Sequence, residues 1–158
     1  MTSVGFSFLL FAIPAGFIGA RLGRKKTIGI GLLIMIAMLL SVNFLPKETL
    51  LQNYGKLPIL GNIMNLTLLL LGAGIGWACI NINSLPVVVD LTDLVHVGTY
   101  TGLYYLFSTL AAILGPITNG VIDKLSGNNY STIFVIGPIF MAAALIMILG
   151  MKYGEAKS

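Results

Sequence analysis

Charge is what this sequence lacks most. Only 9% of its 158 residues are Asp, Glu, Lys or Arg, against roughly 25% in a soluble domain. Hydrophobic residues make up 57%, and mean hydropathy is +0.98. A water-soluble globule is excluded, and the chain reads as an all-α integral membrane protein. Cysteine is nearly absent: Cys79 stands alone, which excludes an internal disulfide and any multi-cysteine metal site. The apolar segments carry no Asp, Glu, Lys, Arg or His in their central parts. An ion-coupled pump needs such a group somewhere, so a coupling carboxylate is not expected in this chain. No Ser/His/Asp set and no paired intramembrane carboxylates occur either. The chain is therefore not read as an enzyme, and no cofactor or metal is expected. A basic leader is missing before the first apolar run, so that run is not a signal peptide.

What is present is a set of long apolar runs. Their spacing predicts helices over about residues 2–20, 27–45, 62–89, 98–120 and 131–150, each close to the roughly 20 residues a span requires. Between the first two lies Gly16-Phe17-Ile18-Gly19-Ala20-Arg21-Leu22-Gly23-Arg24-Lys25-Lys26. Two spans joined by a basic loop form a helical hairpin whose loop faces the cytoplasm. Pro46 ends the second helix. Residues 46–61 form the longest loop, with Pro58 and Gly61 as breakers. Asp90, Asp93 and His96 lie in a cytoplasmic loop. Asp123, Lys124, Asn128 and Asn129 lie in an outside turn, and residues 152–158 form a polar tail.

Arg21, Arg24, Lys25, Lys26, Lys152 and Lys157 then fall inside, and Lys47, Lys56 and Lys124 outside. That asymmetry puts the N-terminus outside and the C-terminus in the cytoplasm. The net charge of +4 is thus topogenic, and no nucleic acid partner is expected. Met1 opens almost directly on a span with no charged flank, so residues 1–158 are expected to be one membrane domain within a larger protein.

Polar side chains concentrate on three of the five helices. The second and fifth are nearly bare and are expected to face lipid. The first carries Ser3 and Ser7; the third, Asn81, Asn83 and Ser84; the fourth, Thr101, Tyr104, Tyr105 and Ser108. Polar groups at membrane depth face a bundle interior or a wet cavity, which makes those seven residues of the third and fourth helices the candidate cavity lining. Tyr100, Tyr104 and Phe107 add an aromatic strip. Rings beside hydroxyls suit a sugar or another polyol; the same residues also serve as helix–helix glue. Gly72 and Gly76 form a GxxxG pair, a backbone-thin face for a neighbouring helix.

The basic segment resembles the signature loop of the major facilitator superfamily, Gly-x-Leu-Ala-Asp-Arg-x-Gly-Arg-Arg/Lys. Gly16, Arg21, Gly23, Arg24 and Lys25 match, whereas Ala20 stands at the aspartate and Ile18 at the leucine. The resemblance implies a partial major-facilitator-type bundle. Loss of the aspartate implies the loop between helices eight and nine, so the five spans correspond to helices eight to twelve. Gly16, Arg21, Gly23, Arg24 and Lys25 then form a cytoplasmic gate loop. Asn83-Ser84-Leu85-Pro86 with Asp90, and residues 98–105, are similar to sucrose and glycoside-pentoside-hexuronide symporters. The function implied is part of a secondary transporter in the plasma membrane that moves a small solute, with a sugar as the candidate class, by alternating access. Its partners would be the bilayer, the missing N-terminal half and the solute. Two rival readings stand beside it. One is a self-standing five-helix scaffold or regulatory subunit with the GxxxG face as its association surface. The other is a membrane enzyme acting on lipid, for which no catalytic set is visible.

Overall fold

Gly23 sets the geometry of the first two helices. In the computed structural model, which describes residues 2–57, 61–127 and 130–151, helix α1 (Thr2–Leu22) and helix α2 (Arg24–Phe44) are separated by this residue alone. Its φ of 98° lies in the region that glycine enters without steric penalty. The chain therefore reverses within one residue. Thr27 closes the first turn of α2, donating to the Gly23 carbonyl from its amide at 3.1 Å and its hydroxyl at 3.0 Å.

The basic segment is consequently not a loop. Arg21 lies in the last turn of α1, and Arg24, Lys25 and Lys26 form the first turn of α2. Cations at a helix N-terminus oppose the macrodipole, so these side chains need compensation from elsewhere.

The stretch after Pro46 is more ordered than breakers alone predict. It holds a short helix α3 (Lys47–Leu50) and an antiparallel hairpin of β1 (Asn53–Leu57) and β2 (Gly61–Met64). The Asn53 carboxamide accepts the Gly55 amide at 3.0 Å where the register shifts. Helix α4 (Asn65–Asp90) thus starts later than the hydropathy implies. Asn65 ties it to α3, donating to the Thr49 carbonyl at 2.7 Å. Helix α5 (Val97–Leu125) runs on past residue 120 and takes Asp123 and Lys124 into its last turns, where Lys124 complements the dipole. A 3-10 turn (Tyr130–Thr132) leads into α6 (Ile133–Gly150). Pro58, Asn128, Asn129, Lys152 and Lys157 lie outside the described residues. Among the described residues, five helices are long and apolar enough to cross a membrane.

Helix α4 is the hub, with α1 against one face and α2 against another. The α2 contact rests on glycine. A Cβ built on Gly31 would lie 2.7 Å from the Gly76 carbonyl oxygen, and one on Gly76 would lie 2.8 Å from that of Gly31. The backbones touch, as thin-faced membrane helices do. On the other face, Gly74 leaves room for Ser7 and the Val4 carbonyl. Ala15, Ala78 and Cys79 form one buried cluster; Ile28, Leu32 and Val87 form a second, against Met141, Leu145 and Ile148 of α6.

Helix α2 is therefore sandwiched between α4 and α6, not peripheral, and Gly76 is used inside the chain instead of on an association face. The long α5 leans chiefly on α4 and has no buried residue.

Candidate functional site

The polar face of α4 divides at its asparagines. Residues 83 and 81 are two apart, about 200° around a helix of 3.6 residues per turn. Asn83 is 2% exposed. Its amide donates to the Ala15 carbonyl of α1 at 3.2 Å and to the Cys79 carbonyl at 2.9 Å. Its carboxamide fills the space above Gly19, where a Cβ would come within 1.7 Å of Oδ1. Asn83 is a clasp between α1 and α4, which removes it from the cavity set. Asn83→Ala is expected to lower stability by about 1 kcal/mol in a thermal melt, and to leave solute half-saturation unchanged in an uptake titration.

Asn81 is exposed, and its amide donates to the Trp77 carbonyl at 3.3 Å. Ser84 is partly buried, with its hydroxyl on the Ile80 carbonyl. Trp77, Asn81, Ser84 and Val88 follow at spacings of four, three and four, one stripe of the helix. Trp77 is 46% exposed and sits at the midpoint of Asn65–Asp90. Sequence reasoning passed over it, although its position four residues before Asn81 was a usable signal.

Val88 joins this stripe to α5. With Tyr100, Leu103, Tyr104, Phe107 and Ser108 it lines an open cleft of about 490 Å3. Tyr104 and Ser108 are thus brought together. Thr101 and Tyr105 are not in the lining, because one step along a helix rotates a side chain by about 100°. Tyr105 instead meets Tyr104 edge-on, with ring centroids 5.4 Å apart and planes at 73°, and its carbonyl accepts the Ser108 hydroxyl at 3.1 Å.

At the other candidate site, the basic ends find their compensation. Arg24 Nε lies 3.3 Å from Asp90 Oδ2, the last residue of α4. Lys25 Nζ donates to the Leu149 carbonyl at 3.2 Å and to the Met151 carbonyl, capping the C-terminus of α6. A cation there satisfies carbonyls that have no partner within the helix. Arg21 is exposed and makes no hydrogen bond or ion pair among the described residues. Gly16 lies two turns inside α1, packed against Ile82, so it belongs to the helix interface and not to the gate. Beyond Asp90, Asp93 accepts both the amide of His96, at 3.0 Å, and its ring Nδ1, at 2.7 Å, in an exposed turn before α5. Among the described residues no three His, Cys, Asp or Glu gather as metal ligands.

The family model described as Major Facilitator Superfamily matches residues 1–157. The chain belongs to the major facilitator superfamily. Comparison with curated proteins and with solved structures gives no match. Major facilitator proteins are transporters of small solutes, not enzymes, and the five membrane helices agree with a partial bundle of that type. The polar stripe of α4 is exposed at Trp77 and Asn81, and the cleft lies beside it. The ion pair and the lysine cap join three helix ends at one side of the membrane.

Proposed function

We propose that these helices are numbers eight to twelve of a twelve-helix secondary transporter in the plasma membrane. The N-terminus is outside and the C-terminus is cytoplasmic. A small solute, with a sugar as the leading class, moves by alternating access between this bundle and an N-terminal half. The observation that carries the reading is the charged junction of α2, α4 and α6. Arg24–Asp90 and Lys25 with the α6 carbonyls are polar contacts at the helix ends, half in water, and such contacts break and re-form at little cost. All three helices belong to one of the two packed units that rock against each other around a midplane site, so the junction sets the shape of the end that this unit presents to the other. The basic excess at this end supports placing it in the cytoplasm. The sugar assignment draws on Tyr104 and Ser108 in the cleft and on Trp77 above Asn81. The scaffold reading loses its support, since Gly76 is already covered by Gly31.

The test is uptake by cells expressing the gene in its complete reading frame. If Arg24–Asp90 helps close the cytoplasmic side, Arg24→Ala favours the inward-open state. Maximal uptake should fall by about threefold to tenfold, with half-saturation within about twofold. The reversed pair, Arg24→Asp with Asp90→Arg, should recover part of the rate. A loss of affinity at unchanged maximal rate would count against a gating role.

A further inference from the structure

Three features meet where α5 and α6 reach the hairpin side of the membrane. The first is an open groove of about 590 Å3 between the two helices. It runs from Ala111 to Ile122 on α5 and from Ile133 to Phe140 on α6. The second is a polar mouth: Thr118 and Asn119 are the groove's polar side chains. The third is Asp123, one turn beyond Asn119 on the same face of α5. Its Oδ1 is shielded from water and has no hydrogen-bond partner. A buried carboxylate oxygen without a donor is an uncompensated desolvation. The residue is only partly buried, so the rest of the carboxylate reaches the surface. Lys124 beside it is exposed.

We propose that this groove holds one acyl chain of a phospholipid from the leaflet on the hairpin side, and that Asp123 receives the primary ammonium of an ethanolamine headgroup. The length of the groove argues for a lipid. Ala111 is the midpoint of Val97–Leu125, and Phe140 lies next to the midpoint of Ile133–Gly150. Eleven steps of 1.5 Å span about 16 Å, half of a hydrocarbon core about 30 Å thick. A neighbouring transmembrane helix would need a groove through both leaflets; a lipid occupies one. The order of polarity fits as well. Apolar side chains lie at depth, a hydroxyl and an amide at the level of ester groups, and a carboxylate at the level of headgroups. Charge selects the headgroup. An ammonium offers Asp123 charge-assisted N–H donors and Lys124 can take the phosphate, whereas a glycerol headgroup offers the carboxylate only neutral hydroxyl donors and brings a net negative charge. The assignment is independent of what the protein transports.

The experiment is native mass spectrometry of the purified chain in detergent with equimolar dioleoyl phosphatidylethanolamine, phosphatidylcholine and phosphatidylglycerol. The ethanolamine lipid should be retained over the glycerol lipid by about tenfold. Asp123→Asn should bring that ratio within about twofold. Gly115→Leu should release all three lipids, because a Cβ at Gly115 meets no atom within 4 Å and its side chain can fill the groove without disturbing the helices. Equal retention of the three lipids by the parent chain overturns the headgroup assignment, as does a preference that survives Asp123→Asn. Retention unchanged by Gly115→Leu overturns the groove as the site and leaves a neighbouring helix as its occupant.

Discussion

Gly76→Leu should lower the stability of this bundle by on the order of 2–4 kcal/mol, the largest loss expected from a single substitution here. Gly31 and Gly76 face each other backbone to backbone. A Cβ on Gly76 would stand 2.8 Å from the Gly31 carbonyl oxygen and 2.9 Å from Met35 Cγ. The Met35 side chain can swing aside, but the carbonyl belongs to a helix whose other contacts hold it. The helices must separate, and every contact between α2 and α4 weakens together. The loss extends to α6, which rests on α2 through Leu145 and Ile148. Two controls separate this from a general intolerance of leucine. Gly102→Leu meets nothing within 4 Å and should stay within about 0.5 kcal/mol. Gly72→Ala meets the Met38 sulfur at 2.7 Å, the far end of a flexible chain, and should cost about 1 kcal/mol or less. Unfolding midpoints in mixed detergent micelles read all three. Equal losses for Gly76→Leu and Gly102→Leu would mean that α2 and α4 are not held by this approach.

The five spans and the family were legible in the sequence, because a bilayer imposes length and apolarity on every crossing and leaves few alternatives. What the sequence did not reveal has specific causes. The hairpin after Pro46 was missed because its strands are short and carry Asn53, Lys56 and Asn62, with no alternating apolar pattern to mark them. Taking Arg21 to Lys26 as a loop assumed that a reversal needs several residues; Gly23, with its positive φ, needs one. The placement of α2 failed for a more general reason. Its lack of polar side chains was read as exposure to lipid. Packing between membrane helices is carried by small residues instead, and Gly29, Gly31 and Thr27 gave α2 a buried face. Conversely, α5 has the richest polar stripe and no buried residue, since polarity reports what a helix can face but not how closely it is packed. The asparagines were separable from spacing alone. Which of them was buried depended on Gly19 of α1, a residue far away in the chain.

Trp77→Ala in the complete transporter should raise the half-saturation concentration for the solute by about tenfold to a hundredfold, the ~1.5–3 kcal/mol of a lost aromatic contact. Two properties of Trp77 bear on this. It lies at the centre of the span, where the substrate sites of such transporters lie. It is also 46% exposed, on the same stripe as Asn81, whose carboxamide would be costly in hydrocarbon. A wall with an indole face beside an amide matches the apolar ring face and polar edges of a sugar. Asn81→Leu should therefore weaken the same solute, while Asn83→Ala should not, although the two residues are only two positions apart. Trp77 is the one tryptophan of these 158 residues; with any tryptophan of the other half replaced by phenylalanine, its fluorescence reports this surface. Aqueous iodide should quench it in proteoliposomes, and a transported sugar should protect it saturably. Lipids brominated at mid-chain should quench it little. The opposite pattern, strong quenching by brominated lipid and none by iodide, would put Trp77 against the bilayer and move the solute site to the α5 side of the cleft. There Tyr104 and Ser108 would have to supply the binding without α4.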